Sequence, residues 1–112
     1  MYWYLVYTNY RREKKVMEHL ERKGFETFLP VVERHSQKNP QERRTVPLFP
    51  CYLLVRVEMN ASTYLKILKT DGVVGFFRNN ARPVIVPDEQ VSEIKNGKDI
   101  NLFPDSKEDV KV

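Results

Sequence analysis

The apolar positions of this chain fall into short blocks with two different periods, separated by polar punctuation. Trp3 to Thr8 (WYLVYT) is rich in aromatic and β-branched residues, which suit a pleated surface, and predicts a strand. From Tyr10 to Lys23 the period lengthens: Val16, Met17 and Leu20 share a stripe, Asn9 offers an N-cap, and Gly24 can end the helix in a left-handed conformation. Two i,i+4 pairs, Lys14 with Glu18 and Glu18 with Arg22, support that helix by a few tenths of a kcal/mol each. Phe25 to Glu33 reads as a second strand in which Pro30, lacking an N–H, requires an edge or a bulge. Arg34 to Thr45 (RHSQKNPQERRT) has no apolar side chain and predicts a solvated, flexible hairpin loop.

Val46 to Glu58 (VPLFPCYLLVRVE) is the next strand. From Cys51 onward it alternates strictly, placing Cys51, Leu53, Val55 and Val57 on a core face and Tyr52, Leu54, Arg56 and Glu58 on a half-wet one. Asn60 can cap a helix running to Lys69, with Tyr64, Leu65, Ile67 and Leu68 available for burial. Val73 to Arg78 predicts a further strand, Asn79 to Arg82 a turn, and Pro83 to Val86 a short extended piece. Asp88 then caps a last helix that Asn96 and Gly97 close. Strand, helix, strand, strand, helix, strand is the order of an α+β split β-α-β sandwich. Its four-stranded mixed or antiparallel sheet carries helices mainly on one face, with strands one and three adjacent at the centre. Tyr52 and Leu54, with Trp3, Leu5 and Tyr7 from the first strand, then share the other face. Either a partner covers that apolar surface, or the last helix or the tail folds over it.

Length and composition narrow the function classes. With 112 residues and 41% hydrophobic content the chain closes one modest core: a domain over residues 1–97, followed by a charged linker over residues 98–112 whose Val110-Lys111-Val112 would lead into a further domain. No apolar run approaches the roughly 20 residues that cross a bilayer, and the N-terminus lacks a basic signal-peptide region, so a cytoplasmic monomer without membrane contact is expected. The single cysteine excludes an internal disulfide and reads as core. His19 and His35 have no neighbours at metal-ligand spacing, so no metal or cofactor is expected. The net charge of +4 hides an asymmetry: residues 1–86 hold fifteen Lys and Arg against eight acids (+7), and residues 87–112 hold four against seven (−3). A basic globular part suits an anionic partner or is a solvated face.

The series Trp3-Tyr4-Leu5-Val6, the helix from Arg12 to Leu20, Gly24-Phe25 leading to Phe28-Leu29-Pro30, Leu48 to Val55, Gly72-Val73-Val74-Gly75-Phe76 and Val86-Pro87-Asp88-Glu89 resembles the N-terminal domain of NusG-type transcription elongation and antitermination factors. The motifs stand in the family's order over residues 3 to 97. The resemblance implies a non-enzymatic domain that docks the open sheet face on the clamp helices of the largest RNA polymerase subunit and suppresses pausing, with a KOW-type domain beyond a linker. It assigns the apolar contact to Tyr7, Phe49, Tyr52 and Leu54; alternation would place Phe49 with Cys51 unless a bulge at Pro50 swings it round. Arg11 and Arg12 match positions near upstream or non-template DNA, and Arg43 and Arg44 add basic charge in the loop. A contact with the second-largest subunit falls near Ser62-Thr63-Tyr64, where this chain departs from the His-Thr-Thr motif of the RfaH branch. At Cys51 many housekeeping members have Gly, and the chain is closer there to specialised paralogues of the RfaH and capsule-operon kind.

Two other classes share the topology. An RNA-recognition module would stack bases on strands one and three, but Leu54 stands where a second ring is wanted and the Gly-Phe-Gly-Phe pattern is absent. An acylphosphatase-like hydrolase needs a phosphate-cradling loop after the first strand, and Thr8-Asn9-Tyr10-Arg11-Arg12 contains no glycine. No Ser/His/Asp set or paired carboxylates supply other chemistry.

Overall fold

In the computed structural model, which describes residues 1–97, the elements in chain order are β1 (Tyr2–Thr8), α1 (Glu13–Arg22), β2 (Glu26–Phe28), β3 (Val31–His35), β4 (Arg43–Pro47), β5 (Tyr52–Val57), α2 (Ala61–Leu68), β6 (Val73–Phe76), β7 (Arg78–Asn79), β8 (Arg82–Pro83), β9 (Ile85–Val86) and α3 (Asp88–Lys95). The linker expected over residues 98–112 lies outside the described residues. The main sheet is antiparallel in the order β2-β5-β1-β6, with β9 also on β1. β1 occupies the centre because both of its faces are apolar, and it is buried from Trp3 to Val6. Its register with β5 runs from Tyr2↔Val57 to Tyr7↔Tyr52, so the expected adjacency of strands one and three holds.

α1 and α2 cover one sheet face. Val16 and Leu20 of α1 and Ile67 of α2 join Tyr4, Val6, Leu53, Val55, Val57 and Phe76 in a closed cluster. α1 starts later than the spacing predicts. Asn9 donates its N–H to the Gly72 carbonyl (2.9 Å) and Arg11 adopts φ +63°, so the chain turns before the helix begins at Glu13, and Arg12, not Asn9, holds the cap position. The other end is as expected: Gly24 at φ +91° donates to Glu21 O and Phe25 donates to Leu20 O, the two bonds of a Schellman motif. Asn60 caps α2 by accepting the Thr63 N–H at 2.9 Å, although Leu65, expected to be buried, is exposed. Gly72, also at φ +91°, lets the loop before β6 approach α1; a Cβ there would lie 2.7 Å from Val16 Cγ2.

Pro30 splits the predicted second strand. β2 stays in the main sheet, while β3 pairs with β4 in a separate hairpin from Val31↔Pro47 to His35↔Arg43. The predicted loop from Arg34 to Thr45 is therefore too long, since its ends form a ladder; backbone pairing needs no apolar side chain, and this hairpin is exposed along most of its length. Asn80 (φ +53°) and Ala81 (φ +67°) form the two-residue loop between β7 and β8, the pattern of a type I′ turn.

The largest departure concerns the second sheet face. Val91 and Ile94 of α3 fold over it and bury Trp3, Leu5 and Leu54, with Phe77 and Val86, in a second cluster. Lys95 extends this cover, its Nζ lying 5.4 Å from the Trp3 ring centre and 5.0 Å from that of Phe28. Asp88 is the first residue of α3 and not its cap, which is Pro87.

Candidate docking surface

What α3 leaves uncovered is the end of the face where β1 finishes and β5 begins. Tyr7 and Tyr52 stand directly opposite in the ladder, both half-exposed, with ring centres 5.2 Å apart and planes inclined by 35°. Tyr52 also meets buried Phe77 edge-on at 6.3 Å. Leu48 and Phe49, partly buried like Tyr52, pack against the same cluster.

Phe49 arrives there by a turn and not by the bulge that alternation would require. The Tyr52 N–H donates to the Phe49 carbonyl at 3.1 Å across Pro50 and Cys51, and Cys51 has φ +71°. Proline at the second position and a positive φ at the third are the pattern of a type II turn, which favours Gly where Cys51 stands. A left-handed non-glycine residue costs about 1–2 kcal/mol. Two bonds hold it: the Cys51 carbonyl accepts the Thr8 N–H at 2.8 Å, and the Cys51 N–H donates to Glu13 Oε2 at 2.7 Å. Cys51 is thus a half-exposed turn residue, against the expectation that it sits in the core with Leu53. Burial, and then the Glu13 carboxylate, raise its thiol above the ordinary value. Burial likewise raises the Tyr52 phenol, with smaller contributions from Tyr7 and Cys51.

Of the four residues expected to form the apolar contact, the structure brings Tyr7, Phe49 and Tyr52 to one accessible patch. Leu54, fully buried, lies in the packed layer under α3 and is not available at the surface. Alternation placed it on the correct face; what hides it is α3, a helix that begins only at Asp88. Phe77 supports the patch and was not anticipated, although two consecutive phenylalanines at a strand end must face opposite ways, and Phe76 joins the first cluster. Glu13 was also missed, because nothing local links it to Cys51.

The basic residues fall on two elements. Arg11 and Arg12 are exposed on the loop before α1, where the Arg11 guanidinium lies 5.3 Å from the Tyr10 ring centre. Arg43 and Arg44 are on β4, each near an acid of the same hairpin: Arg43 Nη1 is 3.5 Å from Glu33 and Arg44 Nε is 3.9 Å from Glu42. Such exposed pairs contribute little. Across the ladder, however, Arg44 faces Arg34 and Arg43 faces His35. Ser62 and Thr63 lie in the first turn of α2, on the side of the sheet opposite the aromatic patch. Among the described residues no three His, Cys, Asp or Glu side chains gather to hold a metal, and no helix is long and apolar enough to cross a membrane.

A family model described as "Transcription termination factor nusG" matches residues 1–95. The chain belongs to the NusG family. It is 31% identical over 103 residues to the transcription termination/antitermination protein NusG of Pseudomonas aeruginosa, covering 82% of this chain and 58% of that protein. To the protein of the same name from Halalkalibacterium halodurans it is 30% identical over 105 residues, covering 82% and 59%. A solved structure described as "Domain interaction in Thermotoga maritima NusG" superposes with a TM-score of 0.64 at 29% identity, covering 83% of this chain and 54% of that one. The chain therefore spans little more than half the length of these NusG relatives. The fold shared with the Thermotoga maritima structure agrees with the split β-α-β sandwich expected from the element order.

Proposed function

We propose that this NusG-family domain binds RNA polymerase through Tyr7, Phe49 and Tyr52, docking on the clamp helices of the largest subunit, and thereby suppresses pausing. The observation that carries this reading is the partly buried aromatic cluster at the uncovered end of the second sheet face. Tyr7 and Tyr52 pair there with Phe77 beneath Tyr52, and Phe49 packs against the same cluster, whereas Trp3 and Tyr4 of β1 and Phe76 of β6 are buried. Aromatic residues in such patches are the ones whose truncation most reduces protein–protein affinity, by about 1–4 kcal/mol each. The domain performs no chemistry in this reading. It favours the closed, elongating polymerase by binding it better than the paused one, and a differential affinity of about 1–3 kcal/mol shifts pause occupancy roughly five- to a hundredfold. Ser62 and Thr63 face away from the patch, so contact with the second-largest subunit would engage the opposite side and let the rigid sheet bridge two parts of the enzyme. The test is capture of an isolated clamp-helix fragment by the full chain: wild type retains it and Tyr52→Ala does not. Equal capture by both sinks the proposal.

The hairpin favours a second contact, with upstream or non-template DNA. Like charges directly opposite in a ladder destabilise it, and Arg34 and Arg44 are placed so, with Glu42 at 3.9 Å from Arg44 offsetting part of the repulsion. A phosphate backbone alongside β3 and β4 would relieve that repulsion. RNA stacking is less well served, because α3 covers Trp3 and Leu5 and Tyr7 is engaged with Tyr52.

A further inference from the structure

We infer that Glu13 is a positioning residue for polymerase docking: its carboxylate holds the Phe49–Tyr52 turn in the shape that presents the aromatic patch. This rests on the docking reading above. Glu13 is the first residue of α1, yet the residue is only 5% exposed and its side chain does not cap its own helix. It reaches Cys51, 38 residues away, and accepts that residue's N–H at 2.7 Å. A buried carboxylate is unfavourable unless hydrogen-bonded, and a charge-assisted bond of this length is among the stronger ones.

The peptide it grips is the least favourable in the turn. Cys51 carries φ +71° without being glycine, and other backbone shapes compete with that conformation. The Thr8 N–H fixes the Cys51 carbonyl and Glu13 fixes its N–H, so both bonds are needed to define the orientation of the residue. On one side of Cys51 is Tyr52, in register with Tyr7; on the other, beyond Pro50, is Phe49. Release of the Glu13 bond frees the turn to relax, separating Phe49 from Tyr52 while leaving the sheet register between Val6↔Leu53 and Tyr2↔Val57 in place. The patch then has to be ordered at the moment of docking, which weakens binding.

The experiment compares wild type, Glu13→Ala, Glu13→Gln and Tyr52→Ala as full chains, measuring affinity for bacterial core RNA polymerase and amide exchange by NMR. Glu13→Ala is expected to bind about tenfold more weakly, the lower end of what one charge-assisted bond supplies. Its Cys51 amide exchanges faster while those of Leu53 and Val55 keep their protection. Glu13→Gln, which retains a carbonyl acceptor at the same reach, stays within a few-fold of wild type in both measurements. Should Glu13→Ala fail to fold, Glu13→Asp, one methylene too short to reach, takes its place against Glu13→Gln. If Tyr52→Ala binds weakly but Glu13→Ala binds as wild type, docking stands and the positioning role is overturned. Faster exchange throughout the domain in Glu13→Ala also overturns it, since Glu13 would then be a general stabiliser. If Tyr52→Ala binds as wild type, the docking reading and this inference fall together.

Discussion

Substituting Leu54 and Tyr52 separately by Ala should dissociate stability from binding. Leu54 is fully buried between β1, β5 and α3, so its truncation leaves a cavity that the rigid sheet cannot collapse, for a loss of about 2–5 kcal/mol. In a domain of this size each kcal/mol lowers the melting temperature by about 4–8 °C, so Leu54→Ala should melt about 10 °C or more below wild type. Tyr52 is half-exposed and its ring contacts are with Tyr7 and Phe77, so its removal should cost only about 1–2 kcal/mol. Binding reverses the order. Measured well below both transitions, Leu54→Ala should retain polymerase within a few-fold, whereas Tyr52→Ala should lose about tenfold to a thousandfold. Thermal melts and a pull-down on core polymerase settle both halves. Wild-type melting of Leu54→Ala would refute the placement of α3 over the second face; stronger destabilisation by Tyr52→Ala would show that the patch belongs to the core.

Two further outcomes are expected. Replacing Arg43 and Arg44 by Ala should reduce the salt slope of binding to a DNA-containing elongation complex by about two units, and an unchanged slope would return these arginines to a solvated face. Stability should fall as pH rises: Cys51, Tyr4 and Tyr52 all hold their protons longer in the folded domain than the ordinary values of 9.0 and 10.0, so the unfolded chain ionises first and gains. No loss from these groups is expected below about pH 9, and Cys51→Ser should flatten the first part of the decline in denaturation midpoints between pH 9 and 10; an identical curve for the variant would contradict the raised thiol.

The parts of this fold that were legible in the sequence depend on short-range periodicity. The alternation of β5, the stripe on α1 with its terminal Gly24, and the Asn60 cap each arise within a few residues and survive in the structure. Alternation also sorted Trp3, Leu5, Tyr7, Tyr52 and Leu54 onto one face. It could not say what lies above that face, because α3 is an ordinary amphipathic segment and only its path through the β7–β8 hairpin and β9 brings Val91 and Ile94 back over Leu54. The far end of the β3–β4 ladder was hidden for a different reason: its stabilising bonds are between backbone groups, and beyond Val31↔Pro47 and Val32↔Val46 its side chains are polar on both faces. At Cys51 the strand pattern outran the strand, since the alternation continues by coincidence into a residue that a proline has already turned away.

The cover provided by α3 changes what kind of binding the surface can support. An entire open sheet face would offer a broad apolar patch, prone to association with any partner. With Trp3, Leu5 and Leu54 sealed, the accessible part shrinks to a few rings at one end of β1 and β5, resting on Phe77 and held in place by the Tyr7↔Tyr52 register and the bonds at Cys51. In the proposed docking little has to be ordered, so affinity can come from a small area. Specificity then resides in the fixed arrangement of three side chains more than in the amount of surface buried. A regulator that shifts an equilibrium between two states of a large enzyme needs that property: it has to distinguish the states by geometry, because equal affinity for both, however high, would shift nothing.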